Sequence, residues 1–214
     1  MVEHVLFDAA NTLIHKPAIW QIWQKVLKSH GVVVAELELR RVHKLTSETV
    51  RFPDRTDGAF YRSFNASVLY NLGIIPTESL LNDLFLSMHK LEWEVFDDCM
   101  IIPTIQLPVS VASNFDTSLG SKLEKHLDFK FHEVIVSEDI GHRKPSKKFY
   151  EMVVDTLGVD PIKVLYIGDS LELDIHPALN IGMKAYLIDR ENLYPNFKQR
   201  IMSMYDLNKI LEKK

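Results

Sequence analysis

Short apolar runs alternate with longer amphipathic segments over most of the chain. Runs rich in Val, Ile, Leu and Tyr occupy residues 4–7, 109–112, 133–136, 163–167 and 184–188. Nearly continuous apolar runs of this length are typical of parallel strands that are covered on both faces. Helical patterns lie between them, at residues 118–127 and at residues 146–158, where Gly158 supplies a helix C-cap. Strands that alternate with helices predict an α/β fold with a doubly wound parallel sheet.

The pattern is different between the first strand and the second. It consists there of four amphipathic stretches without a strand signal, at residues 18–30, 35–50, 58–73 and 78–96. Pro17 can open the first helix, which stops at Gly31, and Thr77 is placed to cap the last one. We therefore predict an all-helical insertion in which the tryptophans Trp20 and Trp23 belong to the packing core.

These patterns predict two domains. Residues 1–15 and 99–214 would form an α/β core, and residues 16–98 would form the helical insertion. A chain of 214 residues is long enough for one domain of ordinary size that carries such an insertion.

Composition narrows the classes of protein to consider. Hydrophobic residues make up 46% of the chain, and the net charge of −4 gives no strong field that would attract nucleic acid or an anionic membrane. One cysteine, Cys99, excludes an internal disulfide and fits a reducing compartment. Neither a signal peptide nor an apolar run of about 20 residues is evident. We expect a cytoplasmic protein that binds neither nucleic acid nor membrane.

Polar residues follow several of the predicted strands, where open parallel sheets collect their ligands. In chain order they are Asp8 with Asn11 and Thr12, Ser113 with Asn114, Lys144, and Gly168, Asp169, Ser170 and Asp174. The two aspartates Asp8 and Asp169 are hard oxygen ligands suited to Mg²⁺, which binds through carboxylates together with substrate phosphate. A serine hydroxyl, backbone N–H groups and a lysine suit phosphate oxygens, and an aspartate can act as a nucleophile.

Four segments in this order resemble the motifs of the haloacid dehalogenase-like superfamily. They are FDAANTL at residues 7–13, ASN at 112–114, the lysine of GHRKP at 141–145, and GDSLELD at 168–174. The resemblance covers residues 3–15 and 107–190 and implies a Rossmann-like core, while the helical insertion matches the family's helical cap in position and class.

The resemblance also implies roles for individual residues. It implies Mg²⁺-dependent phosphoryl transfer to a small phosphorylated substrate, with Asp8 as nucleophile and Lys144 as a second catalytic residue. The implied phosphate ligands are Ser113, Asn114 and Lys144, and the implied metal ligands are Asp8, the carbonyl of Ala10, Asp169 and Asp174.

The first motif departs from the family's phosphatases, which usually read Asp-x-Asp-x-Thr. The second aspartate of that pattern is the general acid and base, and here its position is Ala10. General acid–base catalysis contributes about 10²–10⁴-fold, so substrates with poor leaving groups should lose most. Asn11 stands where glycine is common, and asparagine tolerates unusual backbone angles better than most residues.

Three interpretations follow from this departure. The first is a Mg²⁺-dependent phosphatase with reduced or redirected activity, for example on acyl or aryl phosphates. The second is a dehalogenase-like hydrolase that works without metal, although such relatives lack the acidic pair kept here as Asp169 and Asp174. The third is a degenerate member that binds a phosphorylated ligand or a protein without turnover. Metal dependence separates the first from the second, and turnover separates both from the third.

Further candidates lie outside the motifs. His15 could replace the lost proton donor, because the pKa of a histidine is close to neutrality. His142 and Arg143 flank Lys144, and we interpret them as loop residues. The insertion contains arginines that could bind a substrate anion, although such residues usually form a solvated helix face: Arg40, Arg41, Arg51, Arg55 and Arg62.

Overall fold

The computed structural model describes residues 1–212, which form two compact units. One unit comprises Met1–His15 and Val95–Lys214, and the other comprises Lys16–Glu94. The predicted insertion, residues 16–98, ends a few residues later than the helical unit does. Its role as a cap stays a prediction.

The first unit is built on a parallel sheet. The strands of the chain, in order, are β1 (His4–Phe7), β2 (Ile14–His15), β3 (Glu94–Val95, at the boundary between the two units), β4 (Val109–Ser113), β5 (Val134–Val136), β6 (Val164–Gly168), β7 (Lys184–Ile188) and β8 (Arg200–Ile201). Six of them form one sheet in the order β5-β4-β1-β6-β7-β8, and every pairing in it is parallel. This confirms the predicted doubly wound α/β fold. The short strand β8 was not predicted.

The central strand β1 is buried along its whole length, as its apolar sequence indicates. Val5 pairs with Val109 of β4 on one side and with Leu165 of β6 on the other. Because all three strands run in the same direction, the residues that follow them emerge at the same edge of the sheet. The main core of the unit packs Leu6, Phe149 and Tyr166 together with other buried residues.

Helices flank this sheet. The two that the sequence predicts are α5 (Leu119–Leu127) and α7 (Lys147–Leu157), and shorter ones are α6 (Ser137–Ile140), α8 (His176–Asn180) and α9 (Leu207–Leu211). The Ser146 hydroxyl caps α7 by accepting a hydrogen bond from the Phe149 N–H at 3.3 Å. The helix ends at Gly158, whose φ of +64° suits glycine and confirms the predicted C-cap. Asp97–Thr104, just before β4, is a 3₁₀ helix.

The second unit contains the four predicted helices. They are α1 (Ile19–Ser29), α2 (Glu36–Glu48), α3 (Gly58–Asn71) and α4 (Glu78–Met88). Thr77 caps α4 as predicted, since its hydroxyl accepts a hydrogen bond from the Leu80 N–H at 3.3 Å. Trp23 is fully buried in the core of this unit, and Trp20 packs against that core. Both tryptophans therefore have the packing role that their helical spacing predicts.

Two local predictions for this segment are wrong. The last helix was predicted to reach residue 96, but α4 ends at Met88 and Glu94–Val95 forms β3. The segment therefore contains strand residues, because β3 pairs with β2 in a separate two-stranded sheet that local sequence does not reveal. The first helix begins at Ile19, two residues after Pro17.

Candidate active site

Asp8 is the first residue after β1 and is buried, with 4% of its surface exposed. Its backbone N–H donates to the Ile167 carbonyl of β6 at 2.8 Å, which continues the strand pairing up to this residue. On the other side, the Ser113 hydroxyl at the end of β4 donates to Asp8 Oδ1 at 3.0 Å. The carboxylate is thus fixed by backbone and side-chain bonds from both neighbouring strands.

The loop after Asp8 folds back on itself. The Ala9 carbonyl accepts hydrogen bonds from the N–H groups of Leu13 at 2.8 Å and Ile14 at 3.0 Å. Asn11 has a φ of +59°, in the left-handed region that asparagine tolerates. The Thr12 hydroxyl is buried and has no hydrogen-bond partner among residues 1–212. The conformation of this loop therefore depends on its backbone contacts.

Lys144 brings two of the predicted carboxylates together. Its ammonium contacts Asp8 Oδ1 and donates to Asp174 Oδ1 at 2.7 Å, and 4% of the residue is exposed. The backbone of Lys144 is held by Asn114, whose side-chain oxygen accepts from the Lys144 N–H at 2.7 Å and whose amide donates to the Lys144 carbonyl at 3.1 Å. Asn114 therefore positions the lysine, and its predicted contact with phosphate stays a prediction.

The segment after β6 carries Asp174 and the third carboxylate, Asp169. Residues Leu171–Ile175 form a π-helical turn, a form that is often found at functional sites. The Ser170 hydroxyl caps this turn, and the Ser170 N–H donates to Asp174 Oδ2 at 3.0 Å. A side chain on Gly168 would place its Cβ 2.5 Å from the Asp174 carboxyl group. The glycine is thus required for Asp174 to approach the strand end.

Asp8, Asp169 and Asp174 form one cluster, in which each offers a carboxylate oxygen within 4.8 Å of the others. Burial raises the pKa of Asp8 to about 6, although the Lys144 ammonium acts in the opposite direction, and Asp174 and Asp169 add to the rise. Burial also opposes the charge on Lys144, but Asp174 and Asp8 outweigh it and raise the lysine pKa. The lysine therefore remains an ammonium ion.

The donor set fits a divalent cation. Three carboxylates face one ammonium group, so that when all four are ionised the cluster carries three negative charges and one positive charge, a net of −2. Carboxylate oxygens are hard ligands of the kind Mg²⁺ prefers. A divalent cation would neutralise the like charges whose repulsion contributes to the raised pKa of Asp8.

Two tyrosines take part in this site although sequence reasoning did not select them. The Tyr166 hydroxyl donates to Asp174 Oδ1 at 2.9 Å and accepts from the Lys144 ammonium at 3.3 Å. The Tyr150 hydroxyl contacts the Leu173 carbonyl in the turn that carries Asp174. Tyr166 lies inside an apolar strand, where its hydroxyl gives no signal in the sequence. Tyr150 lies on the buried face of α7 and reads as core for the same reason.

The other sequence candidates pair with neighbouring side chains or are exposed. His15 is half-buried and stacks on Phe96, with ring centroids 3.8 Å apart. His142 and Arg143 are exposed, as expected of loop residues. In the helical unit Arg40 pairs with Glu36 on the same helix at 2.6 Å, and Arg62 pairs with Glu78. Such local pairs are the common behaviour of arginines on a helix surface.

Comparison with known proteins agrees with this geometry. The haloacid dehalogenase-like hydrolase family matches residues 106–188. Glyceraldehyde 3-phosphate phosphatase of Methanopyrus kandleri is 43% identical over 60 residues, which are 28% of this chain and 26% of that protein. Pyrimidine 5'-nucleotidase PynA of Streptococcus pneumoniae is 25% identical to this chain, and the match covers 85% of this chain and 81% of PynA. The match thus spans about a quarter of the Methanopyrus protein and most of PynA.

Solved structures show the same fold. The HAD-hydrolase YfnB of Bacillus subtilis, bound to magnesium, has a TM-score of 0.65 at 17% identity and covers 98% of both chains. L-2-haloacid dehalogenase of Xanthobacter autotrophicus has the same TM-score at 19% identity and covers 100% of this chain and 99% of its own. At these identities the likeness concerns the fold alone.

The parallel sheet carries a cluster of three carboxylates and one lysine at its carboxyl edge, and these residue types suit a divalent cation and a nucleophilic aspartate. The segment at residues 106–188 is the part of the chain that matches the haloacid dehalogenase-like hydrolase family, and the parallel sheet agrees with the fold of the solved structures named above. Within residues 1–212, every helix falls short of the length and apolarity that crossing a bilayer requires.

Proposed function

We propose that the protein is a Mg²⁺-dependent phosphohydrolase that acts on a small phosphorylated metabolite through an aspartyl-phosphate on Asp8. The observation that carries this proposal is the cluster formed by the buried Asp8 and Asp174, which both pair with Lys144, and the partly buried Asp169. Relatives that are phosphatases, such as the Methanopyrus protein and human N-acylneuraminate-9-phosphatase, support the reaction class.

The residues present suit two successive displacements at phosphorus. In the first, a carboxylate oxygen of Asp8 forms a bond to phosphorus while the bond to the leaving oxygen breaks, and that oxygen departs with both electrons. In the second, a water oxygen attacks the same phosphorus, and the bond to Asp8 breaks to give inorganic phosphate and the free carboxylate. Bound Mg²⁺ supplies positive charge that offsets the charge of the phosphoryl group.

Other residues of the site hold the reacting groups in place. Ser113 fixes the Asp8 carboxylate, and the Lys144 ammonium provides positive charge beside it. The predicted phosphate ligands Ser113, Asn114 and Lys144 remain proposals, as do the metal ligands Asp8, Asp169, Asp174 and the Ala10 carbonyl. The raised pKa of Asp8, about 6, implies that a neutral or weakly basic solution keeps the nucleophile ionised.

Ala10 determines which leaving groups the site can serve. An alanine side chain neither donates nor accepts a proton, so the departing oxygen receives no help at this position. Acyl and aryl phosphates leave readily without protonation, whereas alkyl phosphates do not. We propose that the preferred substrates are phosphates of the first kind.

The same alanine favours a second candidate function. A site that binds a phosphorylated ligand or a protein without turnover would need the cluster for binding and would tolerate the loss of the proton donor. A metal-independent dehalogenase is a weaker third candidate, because the acidic pair Asp169 and Asp174 is retained within the cluster. The fold does not separate phosphatases from dehalogenases, since solved structures of both kinds resemble it.

A substrate assay separates the three functions. Acetyl phosphate, p-nitrophenyl phosphate, glycerol phosphate and 2-chloropropionate are each tested with Mg²⁺ and with EDTA. The proposal predicts Mg²⁺-dependent release of phosphate from the first two substrates. Chloride release in EDTA would indicate the dehalogenase, and no turnover of any substrate would favour the binding function.

Metal binding is tested separately by calorimetric titration with Mg²⁺. Asp169→Asn should weaken the affinity by at least about 10–100-fold, because changing the residues that only support metal ligands already has an effect of that size. Asp155→Asn, a change at an exposed aspartate on α7, is the matched control and should bind like the wild type. Unchanged affinity in the Asp169 variant would remove this residue from the metal site.

A further inference from the structure

Arg190 donates two hydrogen bonds to the loop that follows Asp8. It lies two residues beyond the end of β7, and 18% of its side chain is exposed. One terminal nitrogen of its guanidinium donates to the Asn11 carbonyl at 3.2 Å, and the other donates to the Thr12 carbonyl at 3.0 Å. A single side chain thus binds two consecutive carbonyl groups of the loop.

Asp98 fixes the same guanidinium from another side. Arg190 Nε donates to Asp98 Oδ2 at 3.0 Å, and Nη2 donates to Asp98 Oδ1 at 2.8 Å. Pairs of this bidentate kind are geometrically specific as well as strong. Burial would raise the pKa of Asp98, but the hydrogen bond and charge of Arg190 outweigh it and lower the pKa. The carboxylate therefore stays ionised and keeps the arginine in place.

The Phe96 ring is a further contact of the guanidinium group. Arg190 Cζ lies 3.8 Å from the centroid of the Phe96 ring. The same ring also stacks on His15, with ring centroids 3.8 Å apart and an angle of 11° between the planes. Arginine favours such sites because its planar group can stack and donate hydrogen bonds at the same time.

The loop needs an external support for two reasons visible in its residues. Asn11 lies in the left-handed region, which is less favourable for residues other than glycine. Ala10 has no polar side chain that could tie it to the surrounding site, and the buried Thr12 hydroxyl has no hydrogen-bond partner among residues 1–212. The carbonyl groups bound by Arg190 belong to the two residues directly after Ala10.

We infer that Arg190 is a positioning residue for the active site. It holds the backbone of residues 10–12 in the conformation that presents the Ala10 carbonyl as a metal ligand. Arg190 does not touch the reacting atoms and acts through the loop. The inference about the metal rests on the function proposed above, whereas the support of the loop rests on the hydrogen bonds alone.

The test uses a conservative variant and a matched control. Arg190→Lys keeps the positive charge near Asp98 but lacks the planar fork needed to bind two carbonyls and both carboxylate oxygens. Arg200→Lys is the control, because Arg200 is 20% exposed and pairs with the buried Asp189 at 3.0 Å in the same part of the unit. Each variant therefore disrupts one partly buried ion pair between an arginine and an aspartate.

Two measurements are made on each purified full-length variant. Amide hydrogen exchange of residues 9–14 should be faster in Arg190→Lys than in wild type and in Arg200→Lys. Calorimetric Mg²⁺ affinity should fall by about 10–100-fold in Arg190→Lys alone, as when the partners that orient a metal ligand are changed. A purely structural role would not produce a selective loss of metal affinity at unchanged thermal stability relative to the control.

The outcomes are distinct. Unchanged exchange in the loop of Arg190→Lys would overturn the inference. Faster exchange with unchanged Mg²⁺ affinity would overturn the link between the arginine and the metal site. If the wild type binds no Mg²⁺, the proposed Mg²⁺-dependent function is refuted. Hydrogen exchange alone then decides whether Arg190 holds the loop.

Discussion

The two ends of the central strand β1 carry buried polar groups of opposite character. His4 is the first residue of the strand. Its Nε2 forms a hydrogen bond with the Ser110 hydroxyl at 2.9 Å, and the centroid of the His132 ring lies 5.4 Å from that of His4. Burial, and after it the charge of His132, lowers the pKa of His4 to about 4, so the His4 ring is neutral at pH 7. At the other end, Asp8 lies beside Lys144 and two further carboxylates.

Buried charge is thus concentrated at the carboxyl end of β1, although removing charged groups from water is unfavourable. His4 and Ser110 form a buried polar pair, the Ser110 hydroxyl also accepts a hydrogen bond from the Glu133 N–H at 3.1 Å, and these neutral hydrogen bonds need no ion. Buried charges cost several kcal/mol each to remove from water, and replacing such pairs by apolar groups often stabilises a protein. Four ionisable groups at the carboxyl edge of the sheet therefore indicate a function for that edge. The neutral pair of His4 and Ser110 at the amino end of β1 is explained by its structural role alone.

The largest effect that would test this contrast is on activity. Asp8→Asn removes the proposed nucleophile and should lower turnover of acetyl phosphate on the order of 10⁴–10⁶-fold, as losses of catalytic-triad residues do. Ser110→Ala changes the opposite end of the sheet and should leave kcat within about twofold. Trapping with beryllium fluoride in the wild type should place the adduct on Asp8. An active Asp8→Asn variant would refute the assignment.

Restoring the missing carboxylate should give the next largest effect. If Ala10 is only a missing general acid, Ala10→Asp should raise turnover of alkyl phosphates by about 10²–10⁴-fold. Aryl and acyl phosphates should gain much less in the leaving step, because their oxygens depart without a proton. Trapped phosphoenzyme should also decay faster, since the new carboxylate can activate water.

The measurement for this variant compares leaving groups at saturating Mg²⁺. Equal gains for all substrates would point to a change in metal binding or folding. No gain for any substrate, with the fold and Mg²⁺ affinity intact, would favour the binding function.

The free energy of unfolding should depend more on the buried ion pairs of Lys144 than on an exposed ion pair. Lys144→Met leaves Asp8 and Asp174 buried without their shared counter-ion and should lower the free energy of unfolding by about 3–5 kcal/mol without Mg²⁺. Lys163→Met removes the exposed pair with Glu3, where both side chains are about half exposed, and should cost at most about 1 kcal/mol. Urea denaturation of the two variants measures the difference. Equal losses would mean that the buried cluster is not held by the lysine.

The smallest predicted effect is the pH dependence of the free energy of unfolding that arises from His4. The pKa of His4 is about 4 in the folded state and 6.5 in the unfolded state, so protons bind the unfolded state preferentially. Stability from neutral His4 is therefore fully present above pH 6.5 and is lost as the pH falls towards 4.

A variant without this group isolates its contribution. Relative to His4→Gln, the wild type should lose about 2 kcal/mol of unfolding free energy between pH 7 and pH 4.5, as the shift in pKa implies. Urea denaturation of both proteins at several pH values gives the difference. A constant difference across this range would show that His4 is not held neutral.

The sequence contained enough to predict the sheet and much of the cluster. Five strands were placed because parallel strands buried on both faces give uninterrupted apolar runs, which need no tertiary information to detect. The ends of these strands then led to Asp8, Lys144 and Asp174, which the structure brings together.

The residues that were missed depend on contacts distant in sequence. β3 forms by pairing with β2, far away along the chain, and two-residue strands have no periodicity to recognise. Tyr166 and Arg190 act through contacts with residues that are also distant, Asp174 and Asn11 among them. An arginine after an apolar strand reads as a surface residue until the fold shows which carbonyl groups it meets.

The single buried cysteine has a practical consequence. Cys99 is fully buried, and burial raises the pKa of its thiol to about 12, so the reactive thiolate is scarce at neutral pH. The wild-type chain therefore serves as a nearly unreactive background for maleimide chemistry. Cysteines introduced at exposed Ser87 on α4 and Lys125 on α5 would accept a pair of fluorophores. Energy transfer between the dyes would then report directly on the distance between the two units in solution.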